Sequence, residues 1–171
     1  MEIKLQKIEI KHPNVELYMK REDLIHPLIS GNKFRKLKYN LLQAKAESKT
    51  TLLTFGGAFS NHILAVASAG FENDFKTIGI IRGDELIDKI NENPTLKKAQ
   101  ELGMQFKFVS REWYRTKNEN ESIEPLKNEF GNFYLLPEGG TNELAIKGCE
   151  EILTKEDEVF THICCSIGTG G

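Results

Sequence analysis

Residues Thr50–Arg82 read TTLLTFGGAFSNHILAVASAGFENDFKTIGIIR, and this run changes character three times. Thr50-Thr51-Leu52-Leu53-Thr54-Phe55 is a compact β-prone stretch. Gly56-Gly57-Ala58-Phe59-Ser60-Asn61-His62 is a turn of glycines and short polar side chains. Ile63–Gly70 is an apolar, small-residue helix, with Gly70 as its expected C-terminal stop. Lys76–Arg82, centred on Thr77-Ile78-Gly79-Ile80-Ile81, is a second strand. Strand, helix, strand is a βαβ unit, which implies parallel pairing and a right-handed crossover.

The same alternation extends outward. Asn93 and Pro94 are a cap and a first helical residue for a helix over Thr95–Leu102, closed by Gly103, and Met104–Ser110 is the next strand. Residues 111–129 are polar and partly helical, with Trp113 and Tyr114 packing on the sheet or facing a substrate. A strand at Phe133–Leu136, the turn Pro137–Asn142 and a helix over Glu143–Leu153 lead to a last expected strand, Val159–Ile167. Upstream, Ile3–Ile10 and Val15–Met19 are short strands about a His12-Pro13-Asn14 turn. His12 and His26, each followed by proline, read as solvated loop histidines. The fold class is therefore α/β with a mostly parallel sheet. In such sheets ligands gather at the carboxyl ends of strands, where three turns fall: 56–62, 137–142 and 168–171.

Composition narrows the function. The chain has 171 residues, 39% hydrophobic and 28% charged, with a formal net charge of −2. That is a globular profile without the basic field that a nucleic-acid or membrane-surface partner requires. No apolar run reaches the roughly 20 residues that span a bilayer, and Met1–Lys7 is polar and alternating, unlike a signal peptide. Three cysteines, Cys149, Cys164 and Cys165, lack metal-ligand spacing. They read as small buried hydrophobes in the reducing cytoplasm, and no metal is expected.

The chemistry concentrates in the turns and in the helix that opens the chain. Ser30-Gly31-Asn32 supply capping and turn residues, and Phe34, Leu37, Leu41 and Ala44 recur at helical spacing. Lys33, Arg35 and Lys36 crowd the first turn of that helix, where the dipole prefers anions. A lysine held among other cations has its ammonium form disfavoured, which makes Lys33 the natural nucleophile, against the alternative of a solvated surface lysine. Gly168-Thr169-Gly170-Gly171 has the composition of an anion cradle. Ser60 or Asn61 caps the following helix, or Ser60 and its neighbouring N–H groups hold a carboxylate. His62, with an ordinary pKa near 6.5, would suit proton transfer there. Phosphate cradle, carboxylate pocket and activated lysine together are what a pyridoxal phosphate enzyme of amino acids requires.

Lys20-Arg21-Glu22-Asp23-Leu24 followed by Gly31–Leu37 resembles the opening of the 1-aminocyclopropane-1-carboxylate deaminase/D-cysteine desulfhydrase family, fold type II enzymes of the tryptophan synthase β-like kind. Gly57–His62, Pro137–Asn142 and Ser166–Gly171 are similar to its later motifs, in order. The resemblance implies a three-layer parallel-sheet fold with a smaller inserted α/β domain, residues 43–133, and a larger cofactor domain made of 1–42 and 134–171. It implies pyridoxal 5'-phosphate bonded to Lys33 as an internal aldimine, and the ring hydroxyl held by Asn61. Asn32 falls in the cofactor site, Lys36 with Gly168, Thr169, Gly170 and Gly171 on the phosphate, and Ser60 on the substrate carboxylate. Lys33, Ser60 and His62 are the catalytic set, acting on a small amino acid by proton abstraction and elimination or ring opening. His62 is similar to the desulfhydrase branch, where ring-opening deaminases tend to have glutamine. A homodimer is implied for the full-length protein. Because the chain stops at Gly171 inside a turn that should open a helix, it reads as the N-terminal part of a longer protein with its large domain incomplete. The alternatives are a non-catalytic anion-binding remnant of the fold, or another fold type II lyase or racemase.

Overall fold

The computed structural model describes residues 3–12 and 14–166. Its centre is a parallel sheet of order β5-β4-β3-β6, formed by β3 (Thr51–Gly57), β4 (Lys76–Arg82), β5 (Gln105–Val109) and β6 (Tyr134–Leu136). β1 (Leu5–Ile8) and β2 (Leu17–Lys20) form a separate antiparallel pair. The register of β3 on β4 runs from Thr51 opposite Lys76 to Gly57 opposite Arg82. Leu52–Thr54 lie opposite Tyr134–Leu136. The turns that follow β3 and β6 therefore leave the sheet at the same edge.

β3 is buried without alternation from Thr51 to Gly56, because both faces of a parallel sheet are covered. On one side Leu52, Ile81 and Leu136 join a layer with Leu37 and Ala44 of α1 (Asn32–Ala46), Ile63 and Val66 of α2 (Asn61–Glu72) and Leu96 of α3 (Pro94–Glu101). On the other, Leu53, Phe55, Ile78 and Ile80 pack with Tyr114 of α4 (Arg111–Arg115) and Leu126 of α5 (Asn120–Phe130). The result is the three-layer α/β arrangement. Among the described residues no helix is long and apolar enough to cross a membrane.

Several expectations are corrected. Gly70 does not end its helix: α2 runs on to Glu72. Gly70 serves close packing, since a Cβ there would lie 2.1 Å from Thr77 Cγ2 on β4. The Glu143–Leu153 helix shortens to α6 (Glu143–Cys149) and a 3₁₀ turn, Glu150–Ile152. The strand expected at Val159–Ile167 is not formed by the described residues. Lys155–Val159 is a 3₁₀ turn opened by a Thr154/Asp157 capping box, and residues 160–166 have no regular structure. A strand needs a neighbour to accept its hydrogen bonds, and no described strand pairs with this segment. The same change exposes Cys164 and Cys165, while Cys149 is half-buried, so the thiols are not the buried hydrophobes expected. His26 is no solvated loop residue either. Its Nδ1 accepts from the N–H groups of Leu28 (3.2 Å) and Ile29 (2.9 Å), and its Nε2 lies 3.0 Å from Glu72.

Candidate active site

The three cations that crowd the start of α1 find three different environments. Gly31 occupies the cap position with φ of 59°, and no side chain caps the helix. Asn32, its first residue, is exposed. Arg35 is buried, and its guanidinium donates twice to the Glu22 carboxylate at 3.0 Å, with Glu151 at 3.6 Å. The Glu22 hydrogen bonds hold the Arg35 pKa above its ordinary value. Lys36 is 1% exposed and donates to Thr141 Oγ1 at 2.8 Å. None of the ion pairs among the described residues includes it. Lys33 is half-buried and donates to the Gly139 carbonyl at 2.8 Å. Burial, and then the charge of Lys36, lower its pKa below that of an ordinary lysine, with Cys149 acting weakly the other way.

The turn that receives both lysines is fastened to α1 by groups that sequence reasoning missed. Asn40, fully buried, exchanges amide hydrogen bonds with Asn142: Asn40 Nδ2 donates at 3.1 Å and Asn142 Nδ2 at 2.8 Å. Asn142 Oδ1 also accepts from the Ala145 N–H at 2.9 Å and so caps α6. Gly148 lets α6 touch α1, because a Cβ there would lie 2.0 Å from the Arg35 carbonyl oxygen. An asparagine at mid-helix carries no such signal, whereas the Pro-Glu-Gly-Gly-Thr-Asn turn was visible as a site candidate.

At the adjacent turn Ser60 is the N-cap of α2, its Oγ accepting from the Ile63 N–H at 3.4 Å. Asn61 is the first helical residue and exposed, and Phe59 beside them is 76% exposed. His62 points inward and is 2% exposed. Its Nε2 lies 2.8 Å from Thr54 Oγ1, and its Nδ1 is buried without a hydrogen-bond partner. Desolvation, followed by the charges of Lys33 and Lys36, lowers its pKa to about 3. The ring is neutral at physiological pH, which departs from the near-6.5 group expected of a proton donor. Gly140, at φ of 74°, sits on this imidazole, and a Cβ there would be 2.9 Å from His62 Cε1. Tyr114 packs edge-on against Phe55 with ring centroids 6.2 Å apart, and Trp113 packs against the same layer. Lys33, Lys36, His62 and the 137–141 turn are thus brought together. Gly168, Thr169, Gly170 and Gly171 lie outside the described residues.

This architecture is the fold of the fold type II enzymes. It aligns with the crystal structure of O-ureido-L-serine synthase at a TM-score of 0.56 over 77% of this chain and 40% of that one, with 16% identity, a likeness of fold alone. The crystal structure of a 1-aminocyclopropane-1-carboxylate deaminase homologue matches more fully, with a TM-score of 0.70, 26% identity and 89% of this chain against 46% of that one. The chain is similar in sequence to proteins named for 1-aminocyclopropane-1-carboxylate deaminase and D-cysteine desulfhydrase. It is 34% identical over 164 residues to a protein of Thermotoga maritima named for the deaminase, covering 91% of this chain and 51% of the relative. It is 31% identical over 177 residues to the mitochondrial bifunctional D-cysteine desulfhydrase/1-aminocyclopropane-1-carboxylate deaminase of Arabidopsis thaliana, covering 93% of this chain and 44% of that protein. The chain spans about half the length of the curated relatives it matches. No family-level sequence profile matches it.

The residues present fit a phosphorylated aldehyde cofactor. Lys36 is a fully buried ammonium whose hydrogen-bond partner is a hydroxyl, and burying a charge is costly unless an anion meets it. Lys33, three residues away on the same helix face, is an amine whose depressed pKa increases the unprotonated, nucleophilic fraction.

Proposed function

We propose that the protein works as a pyridoxal 5'-phosphate enzyme that deaminates or desulfhydrates a small amino acid of the 1-aminocyclopropane-1-carboxylate or D-cysteine type. The observation that carries this reading is the pairing of a half-buried, pKa-lowered Lys33 with the buried, carboxylate-free Lys36 on one helix face. When bound, the cofactor supplies an aldehyde for a lysine amine and a ring that takes up electrons left by proton loss. Lys33 Nζ would hold the cofactor and, once released by the substrate amine, would take the α-proton of a D-cysteine-type substrate; 1-aminocyclopropane-1-carboxylate has no α-proton, and there the freed amine would take a proton from a ring methylene carbon. Lys36 would face the phosphate together with Gly168, Thr169, Gly170 and Gly171. Asn32 and Asn61, exposed at the first positions of α1 and α2, are available to the cofactor. Ser60 Oγ and the N–H groups at the start of α2 would receive the substrate carboxylate. His62, neutral and buried, would serve by holding geometry, and Lys33 is the proton-transfer group.

We also propose the division into a 43–133 domain and a second one made of 1–42 and 134–171. Lys33 to Gly139, Lys36 to Thr141 and Arg35 to Gly148 all join the two parts of that second unit, although β6 also completes the sheet. A homodimer and a cytoplasmic location belong to the same proposal, the latter supported by three free thiols.

Titration with pyridoxal 5'-phosphate should give a saturable visible absorbance band. Borohydride reduction followed by denaturation should leave the cofactor covalently on the peptide that contains Lys33, and Lys33→Ala should abolish that label. A label retained on another lysine refutes the assignment, and no saturable change favours the non-catalytic, anion-binding reading. Sulfide release from D-cysteine, compared with ammonia release from 1-aminocyclopropane-1-carboxylate, separates the two substrates.

A further inference from the structure

Thr54 lies in the middle of β3, fully buried, and nothing in its sequence context marks it as more than a β-branched strand residue. Its hydroxyl has one proton. Oγ1 lies 2.9 Å from the Leu136 carbonyl oxygen, which can only accept, so the proton goes there. Oγ1 also lies 2.8 Å from His62 Nε2. With its proton committed to Leu136, Thr54 can only accept from the ring, so the ring must carry its hydrogen on Nε2. The neutral imidazole then has a bare lone pair at Nδ1, and Nδ1 is the buried atom without a hydrogen-bond partner.

This relay joins the two walls of the site. His62 belongs to the first turn of α2, directly after Ser60 and Asn61. Leu136 ends β6 and leads into Pro137–Gly140. Gly140 rests on the imidazole with room for no side chain, and the neighbouring Gly139 carbonyl accepts the hydrogen bond of Lys33. The charged groups bearing on the ring are Lys33 and Lys36 of α1; the uncharged Pro137 carbonyl is a second acceptor within reach of a ring N–H and acts weakly the other way on its pKa.

We infer that Thr54 is a positioning residue: its hydroxyl fixes His62 as the Nε2–H tautomer, ties the start of α2 to the end of β6, and thereby seats the turn that holds Lys33. Its relevance to catalysis rests on the reading of Lys33 given above, but the arrangement itself needs no cofactor. The consequence is a division of labour in which the buried imidazole braces the site and the lysine moves protons.

The test uses the protein without cofactor. Ring-¹⁵N NMR of His62 in the parent protein and in Thr54→Ser should show a neutral Nε2–H ring that does not titrate between about pH 5 and pH 8. In Thr54→Val the hydroxyl is lost, and the Nε2–H signature should give way to the Nδ1–H form or to a ring that titrates. After reductive ¹³C-methylation, the Lys33 signal should keep its lowered titration midpoint in Thr54→Ser and move toward the ordinary lysine value in Thr54→Val. An Nδ1–H ring in the parent protein overturns the inference, a result that stands even where Thr54→Val does not fold. A Thr54→Val spectrum identical to the parent, or an altered tautomer with Lys33 unmoved, overturns it as well. Failure to bind pyridoxal phosphate would sink the functional reading and leave these measurements untouched.

Discussion

His62 shows how one buried side chain can make the whole protein sensitive to acid. In the folded state its pKa is about 3, whereas an unfolded histidine protonates near its ordinary 6.5. Below pH 6.5 the unfolded chain therefore binds a proton that the folded chain refuses. The stabilisation is complete above that pH and is lost progressively as the pH falls toward 3. Between pH 7 and pH 5 this single group should remove about 2 kcal/mol of stability. Urea unfolding at the two pH values would measure it. His62→Gln retains an amide N–H for Thr54 and cannot titrate, so it should lose correspondingly less over that interval. An equal loss in both proteins would assign the acid sensitivity elsewhere. Lys36 shows the opposite compromise. A buried ammonium met by one hydroxyl is a poor choice for stability alone, and it becomes reasonable once a phosphate is to be held.

Gly70 and Thr77 show how α2 is fitted to the sheet. A glycine inside a helix costs up to about 1 kcal/mol relative to alanine, and here the missing side chain leaves room for Thr77 Cγ2. Gly70→Ala should thus destabilise the protein by about 1–3 kcal/mol through overpacking, despite its better helix propensity. Combined with Thr77→Ser, which deletes the colliding methyl, the same alanine should become neutral or stabilising. Thermal unfolding of the two single variants and the double variant measures that coupling, and purely additive effects would disprove the contact. The pair also marks a boundary in what the chain discloses by itself. Strand–helix alternation over 50–82, the Asn93-Pro94 start and the Tyr134–Leu136 strand are local patterns, and they are legible. Gly70 looked like a helix stop because stop and close-packing glycines are identical until the neighbouring strand is known. Val159–Ile167 has strand composition, but a strand forms only where another offers it an edge, and that is a property of the fold.

At the scale of the whole molecule, the site is assembled from segments far apart in the chain. The Lys33, Ser60-Asn61-His62 and Pro137–Asn142 motifs stand out in sequence by composition and spacing. Thr54 and Asn40, which join them, do not, because each reaches a partner, 82 and 102 residues away, that local sequence does not reveal. Pairing of β3 with β4 closes a short loop, whereas β6 reaches β3 only after a separation near that of Thr54 and Leu136. Since loop closure precedes the contacts that reward it, pulse-labelling hydrogen exchange during refolding should protect β3–β4 amides before those of β6. Simultaneous protection would show that the sheet condenses in one step. The hydrogen bond from Lys33 to the Gly139 carbonyl spans 106 residues, and synthesis proceeds at about 5–20 residues per second. On the ribosome the lysine therefore precedes its acceptor by roughly 5–20 seconds. Until then the lysine lacks the Gly139 carbonyl, and the surroundings that lower its pKa are complete only when the later turn arrives.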